Sequence, residues 1–329
     1  MGPRVGESVC IVIVNYRTAH LCIDCLRSLE AQLPAVPRLH AILVDNASGD
    51  GSLEKLAQTI EQEGWRDWAS LLPLERNGGF AFGNNAALSN ALQATAPADY
   101  FLLLNPDTVV RHGAVPALVE FMNSHPGAGV AGSRLEDAQG TTESSAHGAP
   151  SPLGELVSGA RLQLLSRALR RYDVTPPPQA AAHLCDWVSG ASFMVRRRVF
   201  EDIGLLDEGY FLYFEEVDFC ARARKAGWEV WFVPQSRVVH FEGASTGIHD
   251  TAQRRPPYWY ESRRRYFVKH FGVLGLLAAD ACWASGRASF ALRRRLGLAS
   301  VGKEREPRGY ARDLLWGDLR SLFSGKPWS

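Results

Sequence analysis

The chain has 329 residues, of which 46% are hydrophobic and 22% charged, so it can bury a sizeable core. This composition excludes a disordered or fibrous protein and allows one large domain or two. The net charge of +1 conceals an asymmetry. Asp250–Ser329 carries 16 Lys and Arg against 7 Asp and Glu, or +9, and the remainder carries 20 against 28, or −8. A basic tail on an acidic body predicts an anionic partner for the tail.

The cysteines and the N-terminus indicate where the protein works. Of six cysteines, only Cys22 and Cys25 are close in sequence, and a zinc site needs four ligands, so we predict reduced thiols. Met1–Ser8 is polar and unlike a secretion signal. No stretch has the uninterrupted apolar length expected of a spanning helix. We therefore expect a cytoplasmic protein.

In chain order, the apolar run Val9–Val14 predicts a strand buried on both faces. Apolar residues at helical spacing from Leu21 to Leu29 predict a helix after it, with Thr18 as its N-cap. The alternation of strands and helices continues along the chain. Further strands are predicted at Ala41–Val44, Ser70–Leu74 and Tyr100–Leu104. Further helices are predicted at Leu53–Glu63, after Asn85 through Leu92, and at Gly113–Asn123. This pattern predicts an α/β fold with a mostly parallel, twisted, Rossmann-like sheet flanked by helices.

Polar residues follow the predicted strands. The carboxyl ends of parallel strands meet at one edge of a sheet, which is where nucleotides bind. Asp45 suits a ribose hydroxyl or a base N–H, although an Asx turn or a helix cap is the better explanation when this motif is taken alone. The residues in this position are Asn15, Tyr16, Asp45, Asn46, Asn105 and Asp107.

Asn105-Pro106-Asp107 interrupts the chain directly after an apolar strand. Pro106 has no N–H for a central strand, so the strand ends there. Asp107 then stands at the ligand edge, where a carboxylate can hold a divalent cation against a diphosphate. Turn chemistry is the alternative explanation.

The segment Asn77–Asn85 is rich in glycine but lacks the spacing of a phosphate-binding loop. We expect glycines such as Gly78 to let the backbone approach a ligand closely, with Asn77 and Asn84 offering their amides. A tight turn is the alternative.

The second half of the chain has fewer chemical signals. Residues 133–186 are predicted to form loops and a helix over Leu153–Leu169 around an acceptor cleft. A strand is predicted at Trp187–Val195 and two more at Val230–Val233 and Arg237–Phe241, the last carrying His240. A single histidine on a strand is more often structural than a ligand.

Glu215 and Glu216 follow an aromatic run at the start of a predicted helix. The helix dipole favours acidic residues there, which is the simplest explanation. Asp218 and Arg222 are spaced to pair on the helix, whereas the two glutamates have no obvious partner. A carboxylate at the mouth of an aromatic pocket can serve as a general base.

Seven short motifs together closely resemble glycosyltransferase family 2, and within it the rhamnosyltransferases of bacterial surface-polysaccharide assembly. The resemblance covers about residues 9–246 and keeps the order of the family's motifs. The motifs are Val14-Asn15-Tyr16, Val44–Ser48, Asn77–Phe80, Leu104–Asp107, Trp187–Ala191, Glu215–Asp218 and His240–Ser245.

The resemblance implies a GT-A fold and inverting, metal-dependent transfer of a sugar, with rhamnose the best guess, from a dTDP- or UDP-sugar to a glycan or polyprenyl-linked saccharide. It implies that Asp45, beside Asn15 and Tyr16, contacts the nucleoside. Asn105-Pro106-Asp107 stands where many members have Asp-x-Asp. The resemblance thus implies that Asp107 and His240 hold Mg²⁺ or Mn²⁺.

The resemblance also assigns the catalytic base and the acceptor side. Glu215-Glu216 stands where members commonly have Glu-Asp, whose second acid is the base. Glu216 inherits this role with a longer side chain, and Glu215 is the reserve. Trp187 and Gly190 are placed on the acceptor side.

Beyond residue 249 the sequence changes character, and we predict a separate helical extension over 250–329 after a catalytic domain over 1–249. Arg263–Phe271 mixes basic and aromatic residues, Val273–Trp283 is apolar except for Asp280, and Arg293–Arg295 follows. Such a helix is typical of attachment to the inner face of a membrane. A helix packed on the catalytic domain is the alternative.

Two other functions are compatible with this sequence. A catalytically silent protein on the same fold could bind nucleotide sugars or carbohydrates, because fold does not dictate function. Nucleic-acid binding by the basic tail lacks any recognised motif, so we expect no nucleic-acid partner.

Overall fold

The computed structural model of the protein describes residues 7–241, 253–299 and 306–323. It contains the strands β1 (Val9–Asn15), β2 (Leu39–Asp45), β3 (Ala69–Pro73), β4 (Tyr100–Leu104), β5 (Thr108–Val110), β6 (Ala128–Glu136), β7 (Ala146–His147), β8 (His183–Leu184), β9 (Trp187–Val188), β10 (Ser192–Arg196) and β11 (Glu229–His240). Its α-helices are α1 (Ala19–Glu30), α2 (Ser52–Gln62), α3 (Phe80–Leu92), α4 (Ala114–Ser124), α5 (Pro152–Ala160), α6 (Gln163–Ala168), α7 (Arg197–Ile203), α8 (Glu215–Lys225), α9 (Pro257–Arg295) and α10 (Tyr310–Phe323).

The described residues form two compact units, 7–146 with 177–211 and 215–241, and 147–176 with 212–214, 253–299 and 306–323. The predicted boundary at 249/250 lies outside the described residues. So do the residues after Phe241 in the last family motif.

The first unit is built on one sheet with the strand order β3-β2-β1-β4-β10-β6-β11-β5, and β8 also pairs with β11. β1, β2, β3 and β4 are parallel, as expected, and β6 pairs parallel with β11. β10 and β5 run antiparallel to their neighbours. Apolar side chains cover both faces of this sheet and form two cores. The carboxyl ends of β1, β2, β4, β6 and β11 therefore share one edge.

Several predicted boundaries differ from the structure. Trp187–Val195 is two strands rather than one, because the chain turns between Val188 and Ser192. Leu153–Leu169 is likewise two helices. The two predicted strands after Trp228 are one strand with an irregular register between Val233 and Arg237. Thr18 precedes α1 but its side chain does not cap it; the hydroxyl instead donates to Asn15 Oδ1.

In the second unit α5 packs on α9, where Gly159 and Gly286 allow close approach of the two backbones. Gly272 has a positive φ of 71° and interrupts α9, which is therefore two helical segments. Arg263 is buried and binds Glu155, Asp280 and Asp318. Asp280 thus interrupts the apolar run because it faces a buried cation.

Among the described residues, α9 alone has the length and apolar composition of a membrane-spanning helix. Asp280 and Arg287 lie within the apolar part of α9, so the expectation that no uninterrupted apolar stretch reaches this length is not contradicted. The core helix of a soluble protein meets the same criteria.

Candidate active site

Asn15, Asp45 and Ser48 form a buried network where β1 and β2 end. Asn15 and Asp45 are paired in register, and Asn15 Nδ2 donates to Asp45 Oδ1 at 2.7 Å. The Ser48 hydroxyl donates to the same oxygen at 2.6 Å, and its main-chain N–H donates to Oδ2 at 3.2 Å. These bonds fix the orientation of Asp45. Ser48 lies in the Val44–Ser48 motif, but its role as a partner of Asp45 is not predictable from the sequence.

Tyr16 lies beside this network with 41% of its surface exposed. The guanidinium of Arg17 stands 5.1 Å from the centre of the Tyr16 ring. Arg17 is held there because its Nε donates to Ser48 O at 3.1 Å and its main-chain N–H donates to Ser48 Oγ at 3.0 Å. The free ring surface can stack on a planar base.

The glycine-rich segment is tied to the same edge through Asn46. Asn46 Nδ2 donates to Asn77 Oδ1 and to Gly79 O, both at 3.0 Å. Gly79 has a positive φ of 91°, and an added Cβ would overlap the main chain of Phe211. Phe80 N–H donates to the Phe211 carbonyl at 2.8 Å. The segment is therefore held against the chain just before Glu215, a contact that no sequence signal indicated.

Two other predicted residues of this segment make contacts within the protein. A Cβ on Gly78 would overlap the ring of Phe82. Asn84 is fully buried in α3 and donates its amide to Phe80 O at 2.9 Å. Contacts of these residues with a nucleotide sugar stay a prediction.

Asp107 and His240 meet where β5 and β11 pair. Thr108 is the register partner of His240, and Phe241 N–H donates to Asp107 O at 2.9 Å. As a result Asp107 Oδ1 lies 3.4 Å from His240 Nε2. Asn105 supplies main-chain bonds here, with its N–H donating to Ala191 O and its carbonyl accepting from Thr108 Oγ1.

This pair offers two metal ligands of suitable type. No group of three or more His, Cys, Asp or Glu side chains converges among the described residues. Mg²⁺ is usually held by one or two carboxylates, with substrate phosphates and water completing the octahedron. The buried Asp107 and the adjacent histidine therefore fit a cation that is shared with a diphosphate.

Glu215 and Glu216 begin α8, directly after Tyr213 and Phe214, which both have a positive φ of 70°. Such a conformation is costly for aromatic residues and is typical of functional sites. A Cβ built on Gly190 would lie 3.6 Å from the Glu216 carboxyl carbon, so this glycine and this glutamate face each other. The predicted ion pair between Asp218 and Arg222 is confirmed, with 2.8 Å between Oδ2 and Nε.

Burial changes the acidity of both glutamates. Burial raises the pKa of Glu216 to about 7. Hydrogen bonds from main-chain groups, including Gly190, lower this pKa and offset part of the effect. Burial raises the pKa of Glu215 well above its usual value, and the neighbouring Glu216 raises it further. A base with a pKa near neutrality is suited to removing a proton from a hydroxyl. Trp187, the other predicted acceptor-side residue, is half-buried against the second core.

Sequence and structure comparisons identify the family and the fold. The family described as glycosyl transferase family 2 matches residues 8–204, more than half of the chain. An N-acetylglucosaminyl-diphospho-decaprenol L-rhamnosyltransferase of Mycobacterium tuberculosis is 28% identical over 278 residues, which are 79% of this chain and 83% of the relative. Rhamnosyltransferase WbbL of Escherichia coli is 26% identical over 169 residues, which are 50% of this chain and 61% of WbbL.

Solved glycosyltransferases share the fold. The Pyrobaculum calidifontis mannosyltransferase, solved with GDP-Man and Mn²⁺, is similar over 99% of this chain and 83% of its own, with a TM-score of 0.56 and 16% identity. GalNAc-T7, solved with UDP, GalNAc and Mn²⁺, is similar over 98% of this chain and 59% of its own, with a TM-score of 0.55 and 15% identity. The fold is therefore GT-A, and the chain belongs to glycosyl transferase family 2 and is a glycosyltransferase.

Proposed function

We propose that this enzyme moves a sugar, with rhamnose the best candidate, from a nucleoside-diphosphate donor to a lipid-linked saccharide with inversion at the anomeric carbon. The supporting observation is that the Asp107–His240 pair and Glu216 lie at one edge of one sheet, beside the Asn15–Asp45 network. Rhamnose and the lipid-linked acceptor follow from the relatives' names, one of which specifies a diphospho-decaprenol acceptor.

The residues divide the chemistry between them. Asp45, fixed by Asn15 and Ser48, accepts hydrogen bonds from the nucleoside. Asp107 and His240 would hold a divalent cation, which supplies Lewis acidity to the leaving diphosphate. Glu216 accepts the proton of the acceptor hydroxyl as its oxygen attacks the anomeric carbon. Because attack comes from the face opposite the diphosphate, a single displacement inverts the configuration.

A panel of nucleotide sugars tests this function. The purified protein is incubated with each donor, with and without Mn²⁺ or Mg²⁺, and with a synthetic N-acetylglucosaminyl diphosphate lipid. We expect metal-dependent release of the nucleoside diphosphate and a product of inverted configuration, with dTDP- or UDP-sugars preferred. Tight donor binding without turnover under every condition would instead indicate a silent binding protein.

We also propose that the C-terminal segment attaches the enzyme to an anionic membrane surface, which would bring it to its lipid-linked acceptor. Leu274 is 81% exposed in α9, and Phe271, Val273 and Leu277 are exposed beside it. Leu276 and Ala279 of the same helix are buried. An apolar helix face on a segment of charge +9 fits anionic headgroups.

A further inference from the structure

Three arginines converge on one buried carboxylate at the carboxyl end of β6. Glu136 is fully buried, and Arg237 Nε and Nη2 donate to its two oxygens at 2.6 and 3.0 Å. Arg134 Nε lies 3.3 Å from Oε1, and Arg111 Nε lies 3.8 Å from Oε2. Three guanidinium groups around one carboxylate leave this group of four with a charge of +2.

Glu136 does not need all three arginines. The fork of Arg237 already satisfies both carboxylate oxygens, which is the strong bidentate arrangement. Arg111 and Arg134 are 46% and 31% exposed at their side chains, and Glu136 is their only acidic partner among the described residues. Holding extra like charges together is unfavourable unless another anion binds them.

Glu136 is the last residue of β6, so this arginine cluster lies toward the carboxyl edge of the sheet. Leu135 N–H, between Arg134 and Glu136, donates to Ser145 Oγ at 3.4 Å. Ser145 O accepts from Ser189 N–H at 3.0 Å, and the next residue, Gly190, faces Glu216. On its other side, Arg237 lies on β11 three residues before His240. The cluster thus lies toward the edge of the sheet that carries Gly190 and His240.

We propose that Arg111, Arg134 and Arg237 form an anion subsite that binds the diphosphate of the lipid-linked acceptor. This proposal rests on the proposed function and names the charged group by which the acceptor is recognised. Guanidinium groups match phosphate oxygens in geometry and charge. In a lipid diphosphate saccharide the diphosphate adjoins the first sugar. Binding it at this edge therefore brings that sugar to the side of the sheet where Glu216 lies.

Paired acceptors test the subsite in the full-length enzyme. Arg111→Gln and Arg134→Gln are compared with Arg197→Gln, whose arginine also makes one ion pair but lies at the opposite edge of the sheet. Arg237 is left intact because it satisfies Glu136. With an N-acetylglucosaminyl diphosphate lipid, we expect the acceptor KM to rise about tenfold in each cluster variant, the effect of one lost charge-assisted contact. With a neutral alkyl glycoside of the same sugar, KM should not change.

Three outcomes would overturn the subsite. An equal rise in KM for both acceptors would show a structural role, and a rise in the donor KM alone would assign the cluster to the donor diphosphate. No change in either variant would remove the arginines from binding altogether.

A calorimetric titration with inorganic diphosphate and with farnesyl diphosphate, in the absence of donor, separates this proposal from the proposed function. Weaker binding of both in Arg111→Gln and Arg134→Gln, but not in Arg197→Gln, supports the subsite even if no sugar is transferred. Unchanged binding of farnesyl diphosphate overturns it even if transfer occurs.

Discussion

Asp107 Oδ1 lies 3.4 Å from His240 Nε2 because β5 and β11 pair antiparallel and bring the two residues to the same point of the sheet edge. Neither residue alone is a convincing metal ligand in the sequence. Together they supply an oxygen and a nitrogen donor at the site where a diphosphate would leave. This relationship supports the metal-dependent part of the proposed function.

We therefore expect Asp107→Ala to abolish metal-dependent turnover and to weaken nucleotide binding. Loss of a cation that neutralises the leaving group should lower kcat by at least about 100-fold. Asp24→Ala, which removes an exposed carboxylate from α1, is the matched control and should have no effect. Initial rates over a Mn²⁺ titration measure both variants. Normal turnover of Asp107→Ala at saturating metal would make Asp107 a turn residue only.

Gly79→Ala tests the contact between the glycine-rich segment and Phe211. The new methyl group would overlap the Phe211 main chain at a positive φ, so we expect a loss of stability of about 3 kcal/mol and reduced donor binding. Gly140→Ala is the control, because its φ is +83° and nothing lies within 4 Å. It should cost only about 1 kcal/mol. Urea unfolding measures the stability of both variants, and titration measures their donor binding. Equal losses of stability and donor binding in the two variants would contradict a specific role for this contact.

The pH dependence follows from the raised pKa of Glu216, at about 7. The base must be deprotonated to act, so kcat should rise with pH and level off above about 7. Stability has the opposite trend: burial disfavours the ionised form, so stability should fall as pH rises through this pKa. Rates and urea midpoints measured from about pH 5.5 to about pH 8.5 test both trends. A rate that is constant across this range would argue against Glu216 as the base.

Membrane attachment is best tested by point substitutions. α5 packs on α9 in the same unit, so removing α9 would expose the buried face of α5. Leu274→Glu with Leu277→Glu should reduce binding to phosphatidylglycerol vesicles by about tenfold or more, since two apolar contacts are lost. Leu164→Glu is the control, because Leu164 is an exposed leucine of α6, and it should not change vesicle binding. Vesicle flotation at low and high salt measures binding, which should weaken with salt. Salt-independent or absent binding of the unaltered protein would contradict membrane attachment.

Strand and helix patterns were sufficient to predict the parallel half of the sheet and its ligand edge. Val9–Val14 and Tyr100–Leu104 are apolar runs whose ends must lie together once the strands are parallel. The antiparallel strand β5 has three residues, too few for a periodic signal. β6 was missed because Gly129 and Gly132 interrupt its apolar pattern.

Long-range contacts explain the other gaps. Glu136 and Arg237 are 101 residues apart in the sequence and become a pair only when β6 and β11 align. Asp280 likewise gives no indication that it faces Arg263, because seventeen residues separate them along α9.

The measurement that tests the central claim most directly is the single-turnover rate of Glu216→Gln, with Glu215→Gln as its neighbour control. Gln keeps the shape of Glu but cannot accept the proton, so we expect donor binding to persist while the rate falls by about two to four orders of magnitude. Glu215→Gln should retain most of the activity. A near-normal rate for Glu216→Gln, with the loss in Glu215→Gln instead, would contradict the assignment and make Glu215 the base.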